Sequence, residues 1–89
     1  MAFEWDPAKS ETTERRRGIR FERAAEIFAG RIIMWTDSRK DYGEQPIRAV
    51  GESSGELLHV VFTWRGAVVR IISVRRANRK ERAQWQLRA

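Results

Sequence analysis

Residues 57–76 read LLHVVFTWRGAVVRIISVRR, and the rest of the chain is organised around them. Two runs rich in β-branched and aromatic residues flank Arg65-Gly66, the pattern of a β-hairpin. Gly66 can take the positive φ that a tight turn needs. A two-residue turn at Arg65-Gly66 sets Trp64 opposite Ala67, Phe62 opposite Val69, Val60 opposite Ile71 and Leu58 opposite Ser73. The side-chain period of two then gathers Trp64, Phe62, Val60, Leu58, Val69 and Ile71 on one face, which reads as core. The other face carries Leu57, His59, Val61, Thr63, Val68, Arg70, Ile72, Val74 and Arg76. It mixes apolar residues with a histidine and two arginines, as a partly wetted face of an antiparallel sheet does. Any active surface is expected there. A shift of one residue at the turn would exchange the two faces.

Working outward, Phe3-Glu4-Trp5 predicts a short strand at a sheet edge. Asp6-Pro7 is a helix start, an N-cap oxygen followed by proline at the first helical position. The helix is expected to reach Arg17, with Gly18 just past its end. It has almost no apolar stripe, so it is a surface helix. The cations Arg15, Arg16 and Arg17 suit the negative end of its dipole. Phe21, Ala24, Ala25 and Phe28 recur at three- and four-residue spacing and predict a short buried helix over 22–28. Ile32 to Thr36 and Ile47 to Gly51 read as strands, separated by the polar stretch DSRKDYGEQ over 37–45. After the hairpin, Asn78 and Glu81 resemble a capping box and open a last helix from Arg79 to about Arg88. Trp85 is its only large apolar residue apart from Leu87, so this helix reads as thinly anchored. The order is β-α-α-β-β-β-β-α, an α+β class with helices covering one face of an antiparallel sheet.

At 89 residues the chain is one domain, spanning 1–89. With 42% hydrophobic residues it can build one modest core. Cysteine is absent, which removes disulfides and thiolate metal sites and fits a reducing cytoplasm. The start MAFEWDPAKS has neither the basic nor the apolar region of a signal peptide, and no apolar run approaches a membrane span. The formal charge is +6, and every cation other than Lys9, Lys40 and Lys80 is arginine. Arginine forks match phosphate and carboxylate, so the partner is expected to be nucleic acid or an acidic protein, unless the charge only solubilises the surface.

Several segments together are similar to one family. These are FEWDPAK from Phe3, Gly18-Ile19 and Phe21, DYGE from Asp41, VVFT from Val60, RIISVRRA from Arg70, and Glu81-Arg82. In this order they resemble BrnT, the toxin of a bacterial type II toxin-antitoxin module. The resemblance implies a fold like that of RelE-type ribonucleases and an RNA-cleaving, growth-arresting activity without cofactor. It also implies a BrnA-like ribbon-helix-helix antitoxin, joined to the toxin in a heterotetramer that reaches operator DNA through the antitoxin. Thr13, Arg16 and Arg17 stand where the family usually has Asn and then Lys-His. Pro46 replaces an Arg, Trp64 a Glu and Trp85 a Tyr. These replacements remove acid-base groups and keep a second reading open: a non-catalytic module that binds antitoxin or nucleic acid.

RNA cleavage by 2′-hydroxyl attack needs an aligned nucleophile, proton transfer and stabilisation of charge on the phosphorane-like state. Arg70, Arg75 and Arg76 are candidates for the last task, with Arg75 falling on the apolar side near the strand end. Their structural alternative is pairing with a carboxylate. His59, the only histidine, is a candidate proton shuttle. Glu44 in the DYGE loop is the candidate carboxylate base. Arg16, Arg17 and Arg75 are expected to grip the RNA backbone, and Trp85 to stack on a base. Trp35, Tyr42 and Trp64 are further stacking candidates, although Trp64 reads as core and Trp35 as core or antitoxin interface. One histidine, no cysteine and no tight carboxylate cluster except Asp37, Asp41 and Glu44 in the polar loop make a metal site unexpected.

Overall fold

The computed structural model describes residues 1–36 and 45–88. Its strands are β1 (Ala2–Glu4), β2 (Ile32–Thr36), β3 (Ile47–Ser53), β4 (Glu56–Arg65) and β5 (Val68–Arg76). Its helices are α1 (Pro7–Arg17), α2 (Phe21–Glu26) and α3 (Arg79–Leu87), with a 3₁₀ turn at Ile27–Ala29 after α2. The element order is the one expected from the sequence. The five strands form one sheet in the order β1-β5-β4-β3-β2. β2 to β5 pair antiparallel, and β1 adds to β5 in parallel, which makes the sheet mixed.

Local chemistry sets the helix ends where the sequence places them. Asp6 caps α1 by accepting from the Ala8 N–H at 2.9 Å, and Gly18 closes it at φ 72°. Asn78 and Glu81 form a complete capping box on α3. Ser54 and Gly55, at φ 50° and 81°, turn β3 into β4 with the two left-handed residues of a type I′ hairpin.

Phe21, Ala24 and Ile27 pack on Ala49, Leu58, Val60, Phe62, Val69, Ile71 and Val74, all buried. Each large side chain fully buried there adds about 1.5–3 kcal/mol. Gly51 lies under this layer. A Cβ at Gly51 would sit 2.8 Å from the Ile27 Cβ and 2.9 Å from the Ile32 Cγ2, so the close approach of the helical layer to β3 requires glycine. The third helix lies on the other side of the sheet. Trp85 and Ala77 pack with Ile33, Val50, Trp35 and Leu57 on the face opposite α2. The helices thus cover both faces, not one, because Trp85 is an apolar anchor that the mixed face can bury.

The central hairpin differs from the sequence reading in one respect that matters for the site. The turn falls at Gly66-Ala67, with Arg65 opposite Val68, Trp64 opposite Val69 and Phe62 opposite Ile71. The register then shifts: Val61 faces Ser73, Val60 faces Val74 and His59 faces Arg75. Ile72 is the extra residue of a β-bulge. Beyond it every side chain of β5 changes face. Val74 joins the core instead of the mixed face, Arg75 moves to the mixed face beside His59, and Arg76 leaves it. Trp64, expected in the core, is exposed at the sheet edge of the apolar layer.

Candidate functional site

The bulge builds the site. On the mixed face, the pairing Val50–His59–Arg75 crosses the sheet in one row, and Trp35 pairs with Arg48 in the next. The N-terminal turn of α3 lies over these rows and lowers Glu81 onto them. Glu81 is 5% exposed and His59 4%. Arg75 grips Glu81 with two parallel bonds, Nη1 to Oε1 and Nη2 to Oε2, both 2.8 Å. Arg48 donates from Nη2 to Glu81 Oε2 at 3.3 Å and from Nε to His59 Nε2 at 3.1 Å. The Asn78 backbone N–H donates to Glu81 Oε1 at 2.9 Å. All of Glu81's acceptor capacity faces donors, so a buried carboxylate is tolerated.

The electrostatics follow from this packing. Burial by itself would raise the Glu81 pKa. The Arg75 bonds, the Asn78 N–H and the nearby positive charge overcome it and bring the group to about 2. His59 is pushed down to about 4, first by burial and then by the charges of Arg75 and Arg48. Its Nε2 accepts from Arg48, so the neutral ring carries its proton on Nδ1. Among the described residues Nδ1 has no hydrogen-bond partner. Near neutral pH the cluster therefore holds a neutral His59 and an ionised Glu81 of very low basicity.

Beside the cluster a cleft of about 470 Å³ opens between the sheet and α3. Trp35 and Arg48 line it from the sheet, and Asn78, Lys80, Glu81 and Gln84 from the helix. The Arg48 and Arg75 side chains remain 37% and 35% exposed, so both guanidinium groups reach solvent while holding Glu81. The arrangement can bind an anion and a flat ring side by side.

Of the residues singled out from the sequence, His59 and Arg75 come together here. Trp85 anchors α3, and its ring is covered by the Arg31 guanidinium at 3.6 Å from the centroid. Arg70 lies before the bulge and binds Glu4 at 2.9 Å. Arg76 binds Glu56 at 2.8 Å and donates to the Arg17 carbonyl at 2.7 Å. Arg17 donates to the Val74 carbonyl at 2.9 Å, tying α1 to β5. Arg16 is exposed on α1. Asp37, Asp41, Tyr42 and Glu44 lie outside the described residues. Arg48 was not singled out, although the alternation of residues 47–51 sets it on the same face as Val50. The sequence reads Glu81 as a cap on the helical side of Trp85, without a place in the site. Its four-residue spacing from Trp85 was the signal that it also faces the sheet.

Among the described residues no three His, Cys, Asp or Glu side chains gather as metal ligands would. No described helix is long and apolar enough to cross a membrane. A family model described as the ribonuclease toxin BrnT of type II toxin-antitoxin systems matches residues 5–81 of the chain. No curated protein matches it.

Proposed function

Because the chain belongs to the BrnT family of ribonuclease toxins of type II toxin-antitoxin systems, we propose that it is an endoribonuclease whose RNA site is the cleft under α3. The observation that carries this reading is the pair of arginines, Arg48 and Arg75, about a third exposed and held on one buried carboxylate beside the cleft. Preorganised donors of this kind stabilise charge that develops on a phosphoryl group. Cleavage proceeds by attack of the RNA's own 2′-hydroxyl on the adjacent phosphate, without a metal. One histidine and no cysteine leave no zinc site of the usual ligands. With His59 at about 4 and Glu81 at about 2, neither group is tuned for proton transfer at neutral pH. Glu44 keeps the role of base that the sequence reading gives it, and catalysis leans on charge stabilisation.

Membership of a type II family implies an antitoxin protein as partner. We take it to be BrnA-like, a ribbon-helix-helix protein that binds operator DNA and joins the toxin in a cytoplasmic heterotetramer. Inducing this chain alone in bacteria is expected to slow growth and translation, and co-expression of the antitoxin to restore them. Unchanged growth with soluble, folded protein would overturn the toxin reading. The low pKa values of His59 and Glu81 also favour a second reading, a module that binds antitoxin and RNA without cutting. RNA bound and left intact would support it.

A further inference from the structure

We propose that the cleft contains a nucleobase subsite, in which one unpaired base of a single-stranded RNA stacks on Trp35. The inference deepens the ribonuclease reading and rests on it. Two indoles lie on this face of the sheet, and they differ in access. The Trp85 ring is buried and capped by Arg31 at 3.6 Å, which is stacking distance. The Trp35 ring is half-buried and lines the open cleft. Among the described residues, the guanidinium groups of Arg48 and Arg88 stand 5.3 and 5.6 Å from the centroid. Both lie over the ring within cation–π range, but beyond the roughly 3.5 Å of a stacked contact, so a base that stacks there takes the place of a loosely held arginine.

The surroundings match what an unpaired nucleotide offers. A cleft of about 470 Å³ falls in the size range of small-ligand sites and can take a base with its sugar. Arg48 and Lys80 line the same cleft and supply positive charge for the flanking phosphates. The Gln84 amide, also on the cleft, can donate to or accept from a base edge. A duplex buries its bases in its own stack, so it cannot present one to Trp35. The subsite therefore selects single strands, and it does so through an aromatic face that accepts any base.

The test uses short 2′-O-methyl oligoribonucleotides, which lack the attacking hydroxyl and stay intact. Binding is measured by fluorescence anisotropy. The single strand is compared with its duplex, and wild type with Trp35→Ala and Trp35→Phe. Alanine should weaken single-strand binding about 5- to 150-fold, the usual loss of one stacked base. Phenylalanine should stay within about threefold of wild type, because a ring remains. Trp35 also packs near Trp85, so a ladder of strands with one abasic position each is run on the unaltered protein. One position in that ladder should reproduce the alanine loss. Equal affinity for strand and duplex, or an abasic ladder without a weak position, would overturn the subsite. If RNA is still cut in that case, the ribonuclease reading stands alone. If the protein neither binds nor cuts RNA, both fall.

Discussion

Glu81→Ala is expected to lower stability by about 3 kcal/mol, the largest effect of any single substitution in the cluster. Glu81 is 5% exposed and receives two bonds from Arg75, one from Arg48 and one from the Asn78 N–H. Removing one partner of a buried ion pair costs about 3–5 kcal/mol when the remaining charge stays buried. Here the lower end applies, because Arg75 and Arg48 are about a third exposed and can rehydrate. The reciprocal half of the capping box is lost as well, which adds to the cost. For a domain of this size the fall in Tm is roughly 12–24 °C. Glu81→Gln should lose less, since glutamine can still serve the capping box but not the ion pairs. Thermal melts of the two variants check this. A Glu81→Ala protein melting within a few degrees of wild type would show that the carboxylate does not pin α3 to the sheet.

The second large effect is acid lability. The folded state holds His59 at about 4, against a usual 6.5. Above pH 6.5 the ring is neutral in both states and stability is complete. As pH falls, the unfolded chain takes up the proton first, and the folded chain follows only near pH 4. Stability is therefore lost across that window, by about 3 kcal/mol at roughly 1.4 kcal/mol per pKa unit. Glu81 acts at lower pH in the same direction. Its pKa is lowered from 4.5 to about 2, so its contribution is full above pH 4.5 and disappears down to pH 2. Urea unfolding at several pH values between 7 and 4 should show the loss in wild type. His59→Gln should flatten that upper leg and keep the lower one. A wild-type stability that is level from pH 7 to 4 would contradict the buried neutral state of His59.

How far the site was legible depends on Ile72. The strands, the helix caps and the element order all follow from short-range patterns, and they stand where the sequence sets them. The bulge does not. Ile71 and Ile72 are both apolar, so strict alternation can be carried through either of them. The core-side series Val69, Ile71, Ser73, Arg75 ends in polar residues, whereas Val69, Ile71, Val74 stays apolar. Burial favours the second series, and the strand gives up one ladder position to reach it. That single shift exchanges Arg75 and Arg76 between faces. It brings Arg75 and Glu81 together with His59, which lies on the preceding strand. The sequence offers Trp85 as a base platform only because aromatic side chains stack on bases. In the fold its indole is the anchor, and Trp35 is the ring left beside the cleft.

Purified protein incubated with a long single-stranded RNA in EDTA tests the central claim most directly, because family membership, the cleft and the paired guanidinium groups all converge on it. The account predicts cleavage that persists in the chelator and leaves 2′,3′-cyclic phosphate and 5′-hydroxyl ends, the products of 2′-hydroxyl attack. RNA that stays intact with folded protein, or that is cut only when a divalent ion is restored, would contradict it.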